Sequence, residues 1–243
     1  MSIIMNLMDI KNINFFAKGH RGILYIGDYK GKKVIIKTKR KESKAVGRME
    51  NESKFLKILN KKKIGPRLIY YDKKQDFFVY NYVDGEFFPL FLEKQTDKNK
   101  KTILKIIKNI FIQCFRMDIM RIDKEEMHHP YKHIIIEKRK PVLVDAGKSK
   151  MLRNQKGFLA PRKVVSGISK TAKPVLIDFE RAHYADKGKN VTQFCDYLIS
   201  KVMVDLLSKR GIKVSMERII DAAKRYKKKQ SYMNLRRILN CVK

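Results

Sequence analysis

VIIKTKRKESKAVGRMENESKFLKIL, residues 34–59, joins an apolar strand to an amphipathic helix. Lys37 closes the apolar run, and strand alternation directs its side chain inward, where a lysine needs an acidic partner. In the helix, Glu52 shares a face with the apolar residues three, four and seven positions later, whereas Glu50 shares its face with lysines. The sequence therefore predicts a buried ion pair between Lys37 and Glu52, with Glu50 in solvent. A purely structural ion pair is the alternative.

Strand and turn signals lie on both sides of this stretch. Residues 13–37 predict β structure with a hairpin turn at DYKGKK, and Gly65-Pro66 ends the helix. Two further strands are predicted at 67–72 and 76–83, separated by a polar turn. Strands, one helix and strands again indicate a small α+β lobe in the N-terminal third.

The rest of the chain is mostly helical by pattern. Apolar residues recur at helical spacing from Ile103 to Phe115, and a loop at 125–133 leads to the short strand IIIEK. NVTQFCDYLISKVMVDLLSKR, residues 190–210, predicts one helix that opens with an Asn190 cap. Two basic helices, at 216–229 and 235–242, complete the chain.

The charge balance is extreme. Fifty-seven Lys and Arg face 24 Asp and Glu, a formal net charge of +33 on 243 residues. Such a field attracts polyanions, and the mixture of tyrosine and lysine in RYKKKQSY suits RNA, so RNA or a ribonucleoprotein is an expected partner. A lysine-rich composition with solvated helix faces, as in thermophile or high-salt proteins, is the alternative.

Cysteine usage and hydropathy favour a cytoplasmic protein. Cys114, Cys195 and Cys241 are odd in number and widely spaced, which gives neither a zinc motif nor a disulfide framework. The N-terminus carries no sustained apolar stretch of the secretory kind, and the most apolar helix is interrupted by lysines. We expect no membrane partner.

One short repeat complicates the C-terminal part. KPVLVD at 140–145 recurs as KPVLID at 173–178, so Asp145 and Asp178 both follow an apolar strand. Across 138–173 there are eleven basic residues and one acidic residue, which predicts an exposed insertion over about 146–173. A strand that merely ends on an acidic turn residue is the alternative for either aspartate.

Taken in order, these segments resemble the protein-kinase fold. AKGHRGIL has the spacing of a kinase glycine loop, with Gly19 and Gly22 in a turn between strands, and VIIK resembles the kinase V-A-I-K. YNYVDGE resembles the hinge that receives adenine. The resemblance implies ATP binding: Gly19 and Gly22 over the phosphates, Lys37 held by Glu52 against them, and Tyr82 and Val83 beside adenine.

LIDFE departs from Asp-Phe-Gly but resembles the Asp-Phe-Glu of aminoglycoside and choline phosphotransferases. The whole chain outside the insertion is closest to RIO-type and predicted archaeal serine/threonine kinases, which carry segments similar to MHHPYKHIII and NVTQF. The resemblance implies that Asp178 binds the catalytic Mg²⁺ or Mn²⁺. Loop spacing favours Asp145 instead, whereas the following Phe-Glu and NVTQF segments favour Asp178.

The catalytic loop is where the resemblance is weakest. Kinase loops resemble H-x-D-x-x-x-x-N, and counting back from III puts His133 at the Asn position, His128 at the Asp position and Glu126 at the leading His. EEMHHPYKH contains no aspartate. His128 is then the expected base and His133 a metal ligand that favours Mn²⁺ over Mg²⁺. A loop whose histidines only pack, in a protein without turnover, is the alternative.

These expectations combine into one hypothesis with two alternatives. We expect an α+β, two-lobed protein-kinase-like fold, with an antiparallel-sheet N-lobe at 1–85 and a mostly helical C-lobe at 86–243. The expected activity is ATP-dependent phosphorylation of serine or threonine in a protein substrate, carried by Asp178, His128 and Lys37. A kinase-like scaffold that binds nucleotide on RNA ranks second, and a small-molecule phosphotransferase third.

Overall fold

The computed structural model describes residues 9–19, 22–40, 47–138 and 172–243. Asp145, the first copy of the repeat and the predicted insertion up to residue 171 lie outside the described residues, as do positions 20 and 21 of the glycine turn. The preference for Asp178 over Asp145 as the metal aspartate therefore stays a prediction.

Ten strands and seven α-helices are defined within the described residues. The strands are β1 (Lys11–Lys18), β2 (Gly22–Tyr29), β3 (Lys32–Lys39), β4 (Leu68–Asp72), β5 (Phe77–Asn81), β6 (Gly85–Phe87), β7 (Ile122–Asp123), β8 (Ile134–Glu137), β9 (Lys173–Leu176) and β10 (His183–Tyr184). The helices are α1 (Arg48–Asn60), α2 (Phe88–Glu93), α3 (Lys100–Ile119), α4 (Asn190–Leu198), α5 (Lys201–Ser208), α6 (Met216–Lys228) and α7 (Tyr232–Leu239).

The N-terminal part is an antiparallel sheet with one helix, as the sequence predicts. The five strands lie in the order β1-β2-β3-β5-β4, and α1 connects β3 to β4. Phe55, Leu56 and Leu59, on one face of α1, are buried, because apolar residues at helical spacing must be covered by the sheet. The α+β class with its antiparallel sheet is thus confirmed.

The remainder of the described chain is largely helical. One face of α3 is buried, and there Phe111 packs edge-on against Phe194 of α4 with ring centroids 4.9 Å apart. Two small sheets, β6-β8-β9 and β7-β10, are added to these helices. The antiparallel β7-β10 pair joins Asp123 to His183, which brings the chain before the 125–133 loop next to the chain after Asp178.

Two details of the predicted helix at 190–210 are wrong. The helix is broken into α4 and α5 at Ile199–Ser200, where Ser200 is extended and its Oγ donates to the Tyr197 carbonyl at 2.7 Å. Asn190 is not a cap either, since it is the first residue of α4 and its side chain bonds to other segments. These long-range bonds outweigh the local cap preference.

No helix in the described part of the chain is both long and apolar enough to cross a membrane.

Candidate active site

Lys37 lies on the central strand of the five-stranded sheet. Its backbone pairs with Leu24 of β2 on one side and Phe78 of β5 on the other, so the residue is fixed by two ladders. Alternation along β3 directs its side chain to the face that α1 covers, and only 9% of the residue is exposed. A buried ammonium in such a place must find negative charge.

Glu52 supplies that charge. The Lys37 Nζ lies 2.6 Å from Glu52 Oε2, and both side chains are almost completely buried. The ion pair predicted from the period of α1 is confirmed, and so is the exposure of Glu50, which contacts Lys73 at 3.2 Å. The other oxygen of Glu52, Oε1, accepts the backbone N–H of Phe179 at 3.3 Å, which ties α1 to the Asp-Phe-Glu segment.

Asp178 meets the same lysine from the C-terminal part of the chain. Its Oδ1 lies 3.6 Å from Lys37 Nζ, and Glu180 Oε2 lies 4.0 Å from it. The backbone of Asp178 has φ of 62°, the left-handed region that a non-glycine residue enters at a cost. Strain of this kind persists where surrounding structure imposes it, often at functional sites.

Three carboxylates gather around this point. Glu52, Asp178 and Glu180 each offer an oxygen, and the three oxygens lie within 4.8 Å of one another. The buried Oδ1 of Asp178 has no hydrogen-bond partner among the described residues. Hard cations such as Mg²⁺ prefer this all-oxygen donor set. The residues present therefore fit a magnesium ion, and they fit the phosphates that such an ion accompanies because Lys37 adds a positive charge.

The charges around Lys37 and Asp178 favour the ionised forms of these two groups. Burial acts to lower the pKa of Lys37, but Glu52 and then Asp178 outweigh it and hold that pKa above its ordinary value. Burial likewise acts to raise the pKa of Asp178, but Lys37 and Lys124 outweigh it and the pKa is lowered. At neutral pH, Asp178 is therefore a carboxylate that can bind a cation.

The 125–133 loop contributes a histidine to the cluster. His133 Nε2 lies 3.9 Å from Asp178 Oδ2 and 3.7 Å from Glu126 Oε2. Burial, followed by the charge of Lys124, lowers the pKa of His133 to about 4, so the imidazole is neutral at physiological pH. A neutral imidazole beside Asp178 is in the form that can bind a metal, as the sequence hypothesis requires.

His128 is not part of this arrangement. His128 is exposed, and its ring packs on His129 with centroids 4.6 Å apart. Burial raises the pKa of Asp196 of α4, and the charge of His128 acts to lower it. None of the described contacts of His128 involves Lys37 or Asp178. Glu126 is the residue of the loop that lies beside His133, and the role of His128 as a base stays a prediction.

Lys124, Glu126 and Glu180 belong to the site but were not proposed as its catalytic or metal-binding residues from the sequence. Lys124 is 2% exposed, its Nζ lies 5.3 Å from the centre of the Phe179 ring, and burial lowers its pKa. Glu126 accepts a hydrogen bond from Arg181 at 3.0 Å. Glu180 could have been predicted from the sequence, because it lies two residues after Asp178. Lys124 and Glu126 could not, because only the pairing of β7 with β10 brings them to the site.

Helix α4 fixes the start of the loop. Asn190 accepts the Lys124 backbone N–H with Oδ1 at 2.9 Å and donates with Nδ2 to the Ile122 carbonyl at 2.7 Å. Gln193 Oε1 accepts the Met127 N–H at 3.1 Å. These bonds hold Lys124 and the residues that follow it in one position relative to Asp178.

The glycine turn lies close to Lys37. The N–H of Gly19 donates to the Gly22 carbonyl at 2.8 Å, which closes the turn. A side chain at Gly22 would begin 3.1 Å from the Thr38 carbonyl and 3.4 Å from Lys37 Cε, so this position favours glycine. Gly22 thus lies beside the Lys37 side chain.

The two hinge residues differ in what their backbones can do. The Tyr82 N–H donates to the Lys33 carbonyl at 3.0 Å, so that donor is used within the protein. Val83 makes no backbone hydrogen bond to the described residues and is nearly buried. Of the two positions proposed beside adenine, only Val83 keeps its backbone N–H available.

No family model matches the chain, and comparison with curated proteins finds no match either.

Proposed function

We propose that the protein is an atypical ATP-dependent kinase that transfers the γ-phosphoryl group of ATP to a serine or threonine hydroxyl of a protein. The observation that carries the proposal is the convergence of Lys37, Glu52 and Asp178 from a strand, a helix and a strand end that lie far apart in the sequence. Their order along the chain, together with the glycine turn and the hinge, resembles that of the protein-kinase fold.

Phosphoryl transfer requires positioning and neutralisation of charge more than covalent chemistry. In the proposed site, Lys37 orients the phosphates while Glu52 holds its ammonium in place. Asp178 and Glu180, with His133 as a further ligand, would hold Mg²⁺ or Mn²⁺, which neutralises phosphate charge when bound. Lys124 adds a second buried positive charge next to the cluster. Val83 provides backbone groups for adenine.

Glu126 replaces His128 as the proposed base. A carboxylate beside the metal ligands can accept the proton of the attacking hydroxyl, which is the role of the aspartate in kinase loops. Arg181 contacts both Glu125 and Glu126, at 2.8 and 3.0 Å, and must release Glu126 before the carboxylate can act.

The Arg181 contacts favour one second candidate, a nucleotide-binding protein without turnover. Arg181 pairs with both carboxylates of the loop, Glu125 and Glu126. If these pairs persist, the loop offers no carboxylate that can act as a base. Such a protein would bind ATP without transferring phosphate, and ATP binding would change which partners the protein binds.

The test measures ATP binding and phosphate transfer separately. Binding of a fluorescent ATP analogue and transfer from [γ-³²P]ATP to the protein itself and to a generic basic protein are measured with Mg²⁺ and Mn²⁺. We expect Lys37→Ala to abolish both, whereas Lys39→Ala, on the same strand, retains both. Binding without any transfer in the unmodified protein would select the second candidate, and the absence of binding with either metal would refute both.

A further inference from the structure

A large groove lies outside the Lys37 cluster. It has a volume of ≈1210 Å³ and is walled by α1, by the turn at 61–67, by β4, by the hinge residues Asn81, Tyr82 and Val83, and by the adjoining ends of β8 and β9. Lys37, Glu52 and Asp178 do not line it. Its volume exceeds the range of about 300–1,000 Å³ that is typical of small-molecule sites, which favours an extended ligand.

The groove is strongly basic. Six of its lining residues are basic and two are acidic, and one of the acids, Glu50, is already paired with Lys73. The basic residues are Lys54, Lys57, Lys61, Lys63, Arg67 and Lys173. No described residue forms an ion pair with the side chains of Lys57, Lys61, Lys63 or Arg67, so their charges face solvent.

A second hollow continues the same surface. It has a volume of ≈510 Å³, shares Lys61 and Lys63 with the first, and adds Lys62 and Arg116 without any acidic residue. Lys61 and Lys63 therefore form a ridge between two concave basic surfaces. We call the two hollows and this ridge the basic groove. A continuous row of cations of this length matches a polyanion better than a single phosphate group.

The cations are held on rigid elements. Lys57 and Lys61 are four residues apart, one turn of helix, and so project from the same face of α1 and its end. Asn60 clamps the turn that follows: its Nδ2 donates to the carbonyls of Ile64 and Pro66 at 3.0 Å, and its Oδ1 accepts the Leu68 N–H at 2.7 Å. A preorganised basic surface loses less entropy when a ligand binds.

Two lining residues offer contacts beyond charge. Tyr71 is half-buried on the side of the sheet that α1 covers, where it packs against the main core, and its ring supplies an aromatic face within the groove wall. Asn81 also lines the wall and carries a side-chain amide. An aromatic face suits an unstacked base, and an amide suits a 2′-hydroxyl, which both donates and accepts.

We propose that the basic groove binds single-stranded RNA, with phosphates along Lys57, Lys61, Lys63 and Arg67 and a base stacked on Tyr71. An acidic peptide or a membrane of anionic lipids would use the charges but not the aromatic face or the amide. The groove adjoins the proposed ATP site, because Tyr82 and Val83 line it as well, but its row of cations lies on α1 and the turn at 61–67, and the inference does not require phosphate transfer.

The decisive experiment compares two variants that lose equal charge. One replaces Lys57, Lys61, Lys63 and Arg67 with glutamine. The matched control replaces the exposed lysines of α6 and its C-terminal end, Lys224, Lys227, Lys228 and Lys229, because the basic C-terminal helices are the other RNA surface that the sequence suggests. Binding of a fluorescein-labelled 12-residue oligouridine to the full chain is followed by anisotropy between about 50 and 300 mM salt.

We expect the groove variant to bind the RNA at least about 10-fold more weakly at 150 mM salt, and the α6 variant less than about 3-fold more weakly. Each lost phosphate contact lowers the slope of log K against log salt by about 0.7 for a single strand, so the groove variant should lose roughly 2 to 3 units of slope. Equal losses in both variants, or a larger loss in the α6 variant, would overturn the proposal.

Further measurements distinguish RNA from other polyanions. Tyr71→Leu should weaken binding about 5-fold or more, and Tyr71→Phe should keep it, because only the ring is needed for stacking. Oligodeoxyuridine, polyglutamate or phosphatidylserine vesicles that compete as well as the RNA would overturn the assignment to RNA. If a variant does not fold, crosslinking of 4-thiouridine RNA to the unmodified protein still tests the site: crosslinks within 54–71 support it, and crosslinks confined to 216–243 refute it.

Discussion

Two aspartates in this molecule, Asp118, which is buried, and Asp178, which is half-buried, have opposite surroundings. Asp118 of α3 receives four hydrogen bonds, from the Asn190 N–H and Nδ2, the Val191 N–H and the Tyr226 hydroxyl, at 2.8 to 3.2 Å. Asp178 has a buried oxygen without a hydrogen bond to any described residue, and its backbone is in the left-handed region. Donors within the protein thus saturate the carboxylate of Asp118, whereas Asp178 keeps an oxygen that can still accept a bond.

This difference predicts a structural role for Asp118 and a functional role for Asp178. A fully bonded buried carboxylate contributes to stability, because each donor around it would otherwise be unpaired. A strained and incompletely bonded carboxylate is retained at a cost to the fold, which is the expected pattern for a ligand-binding group. Changing each aspartate should therefore affect different measurements.

The largest effect is expected for phosphate transfer in Asp178→Asn. Removal of the charge that would bind the metal should lower the rate at least about 10³-fold, or ~4 kcal/mol in activation free energy. Because asparagine tolerates the left-handed region, the free energy of unfolding should stay within about 1 kcal/mol. The rate is measured with [γ-³²P]ATP and the stability with urea.

Asp76→Asn is the matched control, because Asp76 also has a positive φ, 50°, in the turn between β4 and β5. It should leave the rate of transfer unchanged. If Asp178→Asn retained the activity of the unmodified protein, Asp178 would have no role in the reaction. The different surroundings of Asp118 and Asp178 would then not reflect a difference in function.

The converse change, Asp118→Ala, should act on stability. It leaves the donors of Asn190, Val191 and Tyr226 unpaired inside the protein, so the free energy of unfolding should fall by about 3–4 kcal/mol. Urea denaturation followed by circular dichroism measures the fall. A loss below about 1 kcal/mol would mean that the hydrogen bonds around Asp118 contribute little net stability.

The sequence predicted the parts of the site that depend on local periodicity. The Lys37–Glu52 pair follows from alternation in β3 and from the period of α1, and both patterns act within a few residues. The strands and most helices follow in the same way. The assignment of ATP-site roles rests on resemblance and remains a prediction.

The sequence could not predict what depends on contacts between distant segments. Asn190 looked like a helix cap, but its side chain bonds to Asp118 and Lys124, which lie more than sixty residues earlier. His128 was selected by counting a fixed loop length, whereas the bonds from α4 to the start of the loop decide which side chain lies near Asp178. No local pattern in the chain contains that information.

The pH dependence of stability sharpens the comparison further. Burial raises the pKa of Asp118 to about 6, despite the bonds from Asn190, Val191 and Tyr226, whereas an unfolded aspartate titrates near 3.8. The native state therefore keeps a proton that the unfolded state loses between these values. Stability from this group is complete below about pH 4 and is lost as the pH rises through about 6.

Asp118→Asn removes this titration, so the stability of the unmodified protein relative to the variant should fall by roughly 3 kcal/mol from pH 4 to pH 7. Urea denaturation at half-unit pH intervals gives the difference. A difference that is constant with pH, or that grows as the pH rises, would contradict the raised pKa of Asp118.

The smallest effect concerns the packing behind Asp178. Gly65 has φ of 78°, and a side chain there would begin 2.8 Å from Leu56 Cδ2 and 3.0 Å from the Phe179 ring. Gly65→Ala should therefore lower the free energy of unfolding by about 2 kcal/mol, through backbone strain and through collision with Phe179. The collision should also displace the neighbouring Asp178 and lower phosphate transfer several-fold.

Gly31→Ala separates the two causes, because Gly31 has a similar φ of 71° and nothing within 4 Å of the added carbon. It should cost only the strain, about 1 kcal/mol, and leave transfer unchanged. Equal losses of stability in the two variants would mean that Phe179 moves aside freely. In that case the left-handed backbone of Asp178 is fixed by its bonds within the cluster, above all the bond from the Phe179 N–H to Glu52, rather than by packing against the turn at Gly65.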